Sequence, residues 1–204
     1  MIGPRPGRHR GRAEADTREG GEMSAQTEPA SPRVEIPRDP AVAAEVAALV
    51  NRVYAVAEEG LWRAGAARTT PPEVAGLIRQ GEIVVARLDG RIVGCVRVQA
   101  LDERVGEFGM LAADPAHRGH GIGRRLVDFA ERLSRERGLT TMRLELLVPT
   151  RRPHPGKRAL HAWYTRLGYR VIRNGAIEEQ YPELAALLAV PCDYVIYHKD
   201  LGRA

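Results

Sequence analysis

One glycine-rich turn between a candidate strand and a candidate helix constrains the fold of this chain more than any other feature. Residues 108–113 form an apolar run, Asp114-Pro115 interrupts it, and apolar residues with helical spacing begin at Ile122. The segment 118–123 between them reads Arg-Gly-His-Gly-Ile-Gly. Backbone amides of such a turn attract phosphate groups when they lie at the N-terminus of a helix. The sequence therefore predicts an anion-binding turn followed by an amphipathic helix that begins near Gly121.

Two other kinds of glycine turn do not fit the neighbouring residues. A phosphate-binding loop of the nucleoside-triphosphatase type ends in Gly-Lys-Ser/Thr, but Gly123 is followed by Arg124 and Arg125. A dinucleotide-binding turn directly follows the first strand of a parallel sheet and has an acidic residue about 20 residues later. The elements upstream of this turn are not in that order. An ordinary glycine turn without a ligand is the remaining alternative.

The hydrophobic patterns on either side of the turn predict an α/β protein. Asp39 and the segment 70–73, Thr-Pro-Pro-Glu, are N-capping signals for two helices, and Asp89-Gly90 is a strong hairpin signal. Three antiparallel strands precede the glycine turn, and a helix between strands four and five makes these two parallel. The predicted order is β, α, α, β, β, β, α, β, α, β, β. We therefore expect a three-layer α/β/α sandwich around a mixed, mostly antiparallel sheet of about seven strands.

Composition indicates one globular domain after a polar tail. The chain has 204 residues, of which 44% are hydrophobic and 28% are charged. This is enough for a single domain with its own core, expected over residues 33–204. Residues 1–32 are rich in Arg, Gly, Pro, Glu and Ser, and we expect them to form a disordered tail. Because Met23 lies just before the folded part, the first 22 residues also fit an upstream choice of start.

Charge and cysteine content argue against several classes of protein. No apolar run approaches the ~20 residues of a membrane span, so we expect no membrane segment. Cys95 and Cys192 are the only cysteines, which argues against a disulfide framework and favours a reducing cytoplasm. The net charge of +5 is partly carried by the tail, where acidic residues dilute it. Nucleic acid is therefore not an expected partner.

The glycine turn and a second motif downstream resemble the GNAT family of N-acetyltransferases. The family's acyl-coenzyme A pattern, Arg/Gln-x-x-Gly-x-Gly/Ala, is matched by Arg118, Gly121 and Gly123. Its aromatic-Tyr-x-x-Leu-Gly-aromatic signature is matched by residues 163–169. In its motifs the resemblance covers residues 107–170, and in element order about 34–200. It implies the acyl-CoA N-acyltransferase fold, acetyl-CoA as co-substrate, and no metal.

The resemblance also implies residues for the chemistry, in which an amine attacks a thioester carbonyl. Tyr164, in the second motif, would lie beside the coenzyme sulfur and protonate the leaving thiolate. Glu107 stands where many members carry a general-base glutamate. Glu145 on strand five is similarly placed to a base used in other branches. Both glutamates stay candidates, and water as the base or a structural role for both is also open.

A further set of residues would hold the coenzyme if the resemblance extends to binding. In the family, strand-four backbone groups pair with the pantetheine arm and supply the oxyanion donor, and amides of the glycine turn hold the pyrophosphate. Many members carry an asparagine seven residues before the tyrosine, but this chain has Lys157 there. The residues predicted to bind the coenzyme are Leu111, Ala112, Ala113, Arg118, Gly119, His120, Gly121, Ile122, Gly123, Arg124 and Lys157.

Together these features predict an N-acetyltransferase that moves an acetyl group from acetyl-CoA to a primary amine of a small molecule or a protein. Direct attack in a ternary complex is expected, because no nucleophilic Cys, Ser or Lys stands in a base-partnered setting. The alternative is a catalytically inactive acyl-CoA-binding domain with a sensor or structural role. Homodimer formation is left open.

The identity of the acceptor is less constrained by the sequence. The resemblance places the acceptor site at residues 58–69 and about 173–191. Acidic residues in these segments would suit a cationic amine, whereas Arg63 and Arg68 would suit an acceptor with a carboxylate. The acidic residues are Glu58, Glu59, Glu178, Glu179 and Glu183.

Overall fold

The secondary structure elements follow the predicted order in a computed structural model, which describes residues 31–202. The strands are β1 (Arg33–Glu35), β2 (Ile83–Leu88), β3 (Arg91–Ala100), β4 (Val105–Ala113), β5 (Thr141–Pro149), β6 (Arg170–Ala176) and β7 (Cys192–Asp200). The helices are α1 (Ala43–Ala57), α2 (Pro71–Arg79), α3 (Ile122–Glu136), α4 (Pro155–Arg166), α5 (Ile177–Gln180) and α6 (Pro182–Ala185). Short 3-10 helices, Pro40–Val42 and Pro115–His117, precede α1 and α3. Residues 1–30 of the expected tail lie outside the described range.

One mixed sheet joins all seven strands in the order β1-β2-β3-β4-β5-β7-β6. Within the described residues β4 and β5 are the one parallel pair, and the other neighbours are antiparallel. α3 connects β4 to β5, as expected for a crossover between parallel strands. The predicted fold class, a helix-covered mixed sheet of seven strands, is confirmed.

Local sequence signals explain where the helices begin. The side chain of Asp39 accepts a hydrogen bond of 2.9 Å from the amide of Ala41, and Pro40 follows it in the first turn. Thr70 caps α2 in the same way, with its hydroxyl 3.3 Å from the amide of Glu73. Gly121 occupies the N-cap position of α3 with a φ of +68°, a left-handed conformation that glycine adopts at little cost.

Helices cover both faces of the sheet and form two main hydrophobic clusters. α3 and α4 pack on one face, and α1 and α2 pack on the other. Strand residues alternate between the two clusters, as the pleat requires. The first cluster includes Val84, Val96, Val98, Phe108, Leu126, Met142 and Leu144. The second includes Val46, Leu49, Val50, Val74, Ile83, Val85 and Cys95. Because Cys95 is buried in this cluster, the sulfur has a packing role.

β4 and β5 separate in the middle of the sheet. Their pairing runs from Val105 opposite Thr141 to Glu107 opposite Arg143 and does not continue further. Beyond this point β4 has a bulge, where residues 110 and 111 together lie opposite Val96 of β3. Met110 in the bulge has a φ of +50°. The two strands therefore leave an open wedge beyond Glu107 and Arg143.

The segment Pro40–Ala57 has the length and apolar composition of a membrane-crossing helix, with a mean hydropathy of 1.3. This differs from the expectation of no such run, because many small apolar residues flank the core positions of α1. Val46, Leu49 and Val50 of this helix are at most 1% exposed and pack in the second cluster. A core helix passes the same compositional test, and 28% of this segment is buried, so composition alone does not indicate a membrane span.

Candidate active site

A cavity of about 1110 Å³ lies at the wedge between β4 and β5. Residues of α1, the loop after α1, the glycine turn, α4 and the segment between β6 and β7 also line it. All three predicted catalytic residues, Glu107, Glu145 and Tyr164, contribute to the lining. The predicted coenzyme residues that line it are Leu111, Ala113, Arg118, Gly119, Gly121, Ile122, Gly123, Arg124 and Lys157. The fold thus brings the two sequence motifs to one cavity.

Ala112 and His120 are the two predicted coenzyme residues that do not line the cavity. Ala112 is 1% exposed and packs in the second cluster with residues of α1 and α2, which cover its side chain. His120 is exposed, and its Nδ1 lies 3.1 Å from the carbonyl oxygen of His117. The side chains of these two residues therefore do not shape the cavity, although their backbone groups belong to the same strand and turn.

The glycine turn ends at the N-terminus of α3, whose first amides face away from the helix body. Gly119 and Gly121 have φ values of +93° and +68°, and no atom lies within 4 Å of a Cβ built at either position. The turn is therefore open where a phosphate would approach, and the helix dipole favours negative charge there. Gly94 on β3 allows the close approach of this helix end, since a Cβ there would lie 2.5 Å from Ile122 Cγ2.

Tyr164 forms part of an aromatic wall next to the wedge. Its ring centroid lies 5.0 Å from that of Trp163 and 6.0 to 6.1 Å from those of Phe108, Tyr169 and Tyr197. The side chain is 6% exposed, and its hydroxyl makes no hydrogen bond with another described residue. Burial, with smaller contributions from Tyr54 and Tyr197, raises the pKa of Tyr164 above its usual value. The phenol is thus protonated at neutral pH and can donate its hydrogen to a group in the cavity.

Two carboxylates share one arginine on the other side of the wedge. Arg143 Nη2 donates a hydrogen bond to Glu145 Oε1, and Arg143 Nε lies 3.3 Å from Glu107 Oε2 without the geometry of a hydrogen bond. Gln99 Nε2 donates to Glu107 Oε1 at 3.0 Å. The hydroxyl of Tyr181 lies 3.2 and 3.0 Å from the two oxygens of Glu145. The pair with Arg143 carries a net negative charge, and Glu145 has more of its lone pairs engaged than Glu107.

The environment of Glu107 favours its protonated form relative to an ordinary glutamate. Burial raises the pKa of Glu107, and the neighbouring Glu145 raises it further. The hydrogen bond from Gln99 and the positive charge of Arg143 act in the opposite direction but do not cancel the rise. A carboxylate with a raised pKa is a stronger base than a free one, which is the property that a proton acceptor needs near neutral pH.

Lys157 does not present a free charge to the cavity. Its Nζ lies 2.5 Å from Glu58 Oε1, and the two side chains are 5% and 6% exposed. Trp62 Nε1 donates to the other oxygen of Glu58 at 2.6 Å. The ion pair joins the N-terminal turn of α4 to the C-terminal end of α1. Lys157 therefore pairs with a carboxylate of the protein, whereas the sequence analysis predicted that it would bind the coenzyme.

The two segments expected at the acceptor site lie against each other. The amide of Arg63 donates to the carbonyl oxygen of Leu187 at 2.9 Å, and the amide of Ala189 donates to that of Leu61 at 2.9 Å. Trp62 and Leu188 form an isolated β-bridge between the segments. Side chains from both segments line the cavity, namely Glu58, Trp62, Arg68, Ile177, Tyr181 and Leu184.

Sequence reasoning missed several side chains that shape the site. Arg143, which contacts both glutamates, was not predicted as a site residue. The register of the parallel strands β4 and β5, which places Glu107 opposite Arg143, was the signal that could have revealed this contact. Gln99 lies directly opposite Glu107 on the neighbouring strand β3, so the register of this hairpin was the signal that could have revealed it. Tyr181 reaches Glu145 from a segment 36 positions away, and nothing local marked it. Tyr54 was missed because its helix showed only a core pattern.

Within residues 31–202 there is no group of three or more His, Cys, Asp or Glu side chains that could hold a metal ion. The site is instead made of a glycine turn at a helix N-terminus, a wedge between two strands, and a polar cluster of two carboxylates with a tyrosine opposite. This arrangement suits a ligand that carries phosphates at one end and a reactive group at the other.

Comparison with known proteins gives a family match over the central part of the chain. Residues 79–171 match the family model of the acetyltransferase (GNAT) domain. This region extends from the end of α2 to the start of β6 and contains both sequence motifs. This region is therefore similar to the GNAT acetyltransferase domain. No curated protein sequence matches the chain significantly.

Solved structures share the fold at low sequence identity. A putative acetyltransferase of Salmonella typhimurium, solved with its cofactor acetyl-CoA, is 15% identical with a TM-score of 0.63 over 86% of this chain and 96% of that one. A putative N-acetyltransferase of Lactobacillus plantarum is 22% identical with a TM-score of 0.60 over 85% and 100%. An N-acetylglutamate synthase of Neisseria gonorrhoeae, solved with coenzyme A and N-acetyl-glutamate, is 16% identical with a TM-score of 0.62 over 86% of this chain. The match covers 36% of the synthase, so this chain spans about a third of its length.

Proposed function

We propose that this protein is an acetyl-CoA-dependent N-acetyltransferase that transfers the acetyl group to a primary amine by direct attack in a ternary complex. The observation that carries the proposal is the cavity itself. It connects the open glycine turn to Glu107 and passes Tyr164 at the wedge between β4 and β5. Similar structures solved with acetyl-CoA or coenzyme A support the choice of co-substrate.

The residues present fit the coenzyme at the turn. Gly119 and Gly121 leave open space where a Cβ would stand, and the first amides of α3 are available to a pyrophosphate. No carboxylate of the described residues lies within 4.0 Å of the guanidinium of Arg118, so its charge is free for a phosphate. Unpaired backbone groups of β4 at Leu111 and Ala113 would hold the pantetheine arm. When bound, acetyl-CoA supplies an acetyl thioester to the wedge.

Each proton in the transfer has a residue to carry it. Glu107 takes a proton from the attacking amine, and a β4 amide near the bulge donates a hydrogen bond to the carbonyl oxygen as charge develops there. Tyr164 gives its hydrogen to the sulfur as the carbon–sulfur bond breaks. The products are an N-acetylated amine and the free thiol, and Tyr164 regains its proton from solvent.

Glu107 is the preferred base of the two glutamates. Glu145 already accepts hydrogen bonds from Arg143 and Tyr181, which occupy lone pairs that a proton from the amine would need. Glu107 accepts one hydrogen bond, from Gln99, and its raised pKa makes it the better proton acceptor. Glu145 then acts on Glu107 through its negative charge and through the position of Arg143.

The test is an assay of thiol release from acetyl-CoA with panels of small amines and peptides, combined with calorimetric titration of acetyl-CoA. Amine-dependent thiol release is the expected result. Binding of acetyl-CoA without release for any amine would instead support the alternative, an acyl-CoA-binding domain without turnover. Absence of binding would contradict the proposed coenzyme site as well.

A further inference from the structure

The cationic side chains that line the cavity differ in whether they have a carboxylate partner. The lining cations are Arg52, Arg68, Arg97, Arg118, Arg124 and Lys157. Four are paired, as Arg52–Asp114, Arg97–Glu82, Arg124–Asp128 and Lys157–Glu58. Among residues 31–202, no carboxylate oxygen lies within 4.0 Å of a side-chain nitrogen of Arg68 or Arg118. Arg118 belongs to the glycine turn, where the proposed function places phosphates. Arg68 has no role there.

Arg68 is held in place by its backbone and its side chain. Asn51 Oδ1 accepts hydrogen bonds from the amides of Arg68 and Thr69 at 2.8 and 3.1 Å, and Asn51 Nδ2 donates to the carbonyl oxygen of Thr69 at 2.9 Å. The guanidinium carbon lies 5.1 Å from the ring centroid of Tyr54 and 5.8 Å from that of Trp62. Both distances are within the range of cation–π contacts. These contacts place the exposed guanidinium of Arg68 against the aromatic wall of the cavity.

The two rings under Arg68 are themselves fixed. Trp62 donates its indole hydrogen to Glu58, which is held by buried Lys157. Burial raises the pKa of Tyr54 to about 12, although the charge of Arg68 opposes the rise, so the phenol stays neutral at physiological pH. The guanidinium lies over the two rings and also contacts the Tyr54 hydroxyl, and its remaining N–H groups can bind a carboxylate in a bidentate hydrogen bond.

Most of the acidic residues that would favour a purely cationic acceptor do not present a free charge to the cavity. Glu59, Glu178, Glu179 and Glu183 do not line the cavity, and Glu58 is neutralised by Lys157. Glu73 does line it, and one of its oxygens accepts a hydrogen bond from Thr69 Oγ1 at 2.9 Å. Arg63 does not line the cavity, since its Nε donates to the carbonyl oxygen of Leu188.

We propose that Arg68 binds a carboxylate of the acceptor, so the acceptor is an amine that also carries a carboxylate, such as a free amino acid. The inference rests on the proposed function and specifies its substrate class. The carboxylate pairs with Arg68, and the amino group lies toward Glu107 in the same cavity. A zwitterion matches the site, because one wall offers an unpaired cation and the glutamate pair with Arg143 carries a net negative charge.

The test compares acceptors that differ in the carboxylate alone. The panel is the standard L-amino acids, β-alanine and 4-aminobutyrate, each beside its carboxamide, with thiol release from acetyl-CoA as the readout. We expect Arg68→Gln to lower kcat/KM for carboxylate acceptors by about 10- to 100-fold and to leave the carboxamides within about twofold. A carboxamide also changes the basicity of the neighbouring amine, but this change is the same for the parent and the variant. The ratio between the two proteins therefore reports on the carboxylate contact alone. Arg68→Lys should lose part of the preference, because a single ammonium cannot form the bidentate pair.

Arg63→Gln is the matched control, since it removes a positive charge from the same loop outside the cavity and should keep the preference. Equal losses for carboxylates and carboxamides in Arg68→Gln, or an unchanged preference, would overturn the inference while the transferase function stands. If the parent releases no thiol with any amine, calorimetry with coenzyme A and the same amino acids decides the point separately. Binding that is lost in Arg68→Gln would support the carboxylate site although the transferase proposal had failed, and no binding would overturn both.

Discussion

The two sides of the cavity are built in different ways. The turn side is one continuous segment, from β4 through the glycine turn to α3, and it offers mainly backbone amides. The loop side combines the loop after α1 with the segment before β7, and it offers side chains such as Arg68. The hydrogen bond from Arg63 Nε to the carbonyl oxygen of Leu188, for example, joins residues 125 positions apart in the sequence. A ligand recognised by backbone can therefore be inferred from a short motif, whereas a ligand recognised by side chains depends on contacts between distant segments.

The largest effect should follow from a change on the turn side. Gly121→Glu places a negative charge where the pyrophosphate would bind, in a left-handed position at φ +68°. We expect acetyl-CoA binding to fall below detection in a calorimetric titration, with the fold retained by circular dichroism. Gly121→Ala carries the same backbone strain without the charge and should weaken binding much less. Wild-type affinity in folded Gly121→Glu would show that the phosphates bind elsewhere.

The second prediction concerns the base. Glu107→Gln should lower kcat by roughly 10² to 10⁴ with little change in acetyl-CoA affinity. In the parent, the rate should fall as pH drops through the pKa of Glu107, because only the deprotonated form accepts the amine proton. Since burial and Glu145 raise this pKa, the acidic limb of the rate profile should lie above that of an ordinary glutamate.

Glu145→Gln is the control for this experiment. It removes the neighbouring negative charge, so the acidic limb should move to lower pH while turnover persists. Full activity in Glu107→Gln, together with loss of activity in Glu145→Gln, would transfer the role of base to β5.

The third prediction concerns the loop side and its buried ion pair. Lys157→Met leaves Glu58 buried without its partner and should lower the free energy of unfolding by about 3 kcal/mol or more. The double variant Glu58→Gln/Lys157→Met should recover much of that loss, and urea unfolding measures both. Acetyl-CoA affinity should change little. A large loss of coenzyme affinity at unchanged stability would mean that Lys157 contacts the coenzyme.

The smallest of these effects is expected for the acid. Tyr164→Phe removes one hydroxyl that makes no hydrogen bond to the described residues, so the aromatic wall and the melting temperature should be preserved. The rate should fall by about 10- to 100-fold, at or below the low end for general acids, because a thiolate leaves readily. Initial rates across pH check this, and rates equal to the parent throughout would exclude Tyr164 as the acid.

The sequence predicted the fold and one side of the site for physical reasons that particular residues make clear. The caps at Asp39 and Thr70 and the glycines from 119 to 123 act within a few residues, so their consequences can be predicted locally. The motif around Tyr164 was also local, and the structure brings it to the same cavity. The roles of these residues in catalysis and binding remain proposals.

The remaining parts of the site depend on contacts that the sequence does not mark. Arg143 meets Glu107 only because β4 and β5 are parallel in one register. Lys157 was expected near the coenzyme, yet a carboxylate 99 positions away holds it. Arg63 and Arg68 are both arginines of the same loop, and the sequence does not distinguish them. The packing of the loop shows that Arg68 lines the cavity and Arg63 does not. Side-chain recognition therefore required the structure.

The most direct test of the account is the stoichiometry of transfer in one reaction mixture. Acetyl-CoA, the protein and an acceptor amine are combined, free thiol is quantified, and mass spectrometry measures both the N-acetylated product and the intact protein. The account predicts one N-acetylated amine for each thiol released, no release without the amine, and an unchanged protein mass. Thiol release without acetylated amine, or an acetylated protein that forms before the amine is added and then transfers its acetyl group, would contradict it.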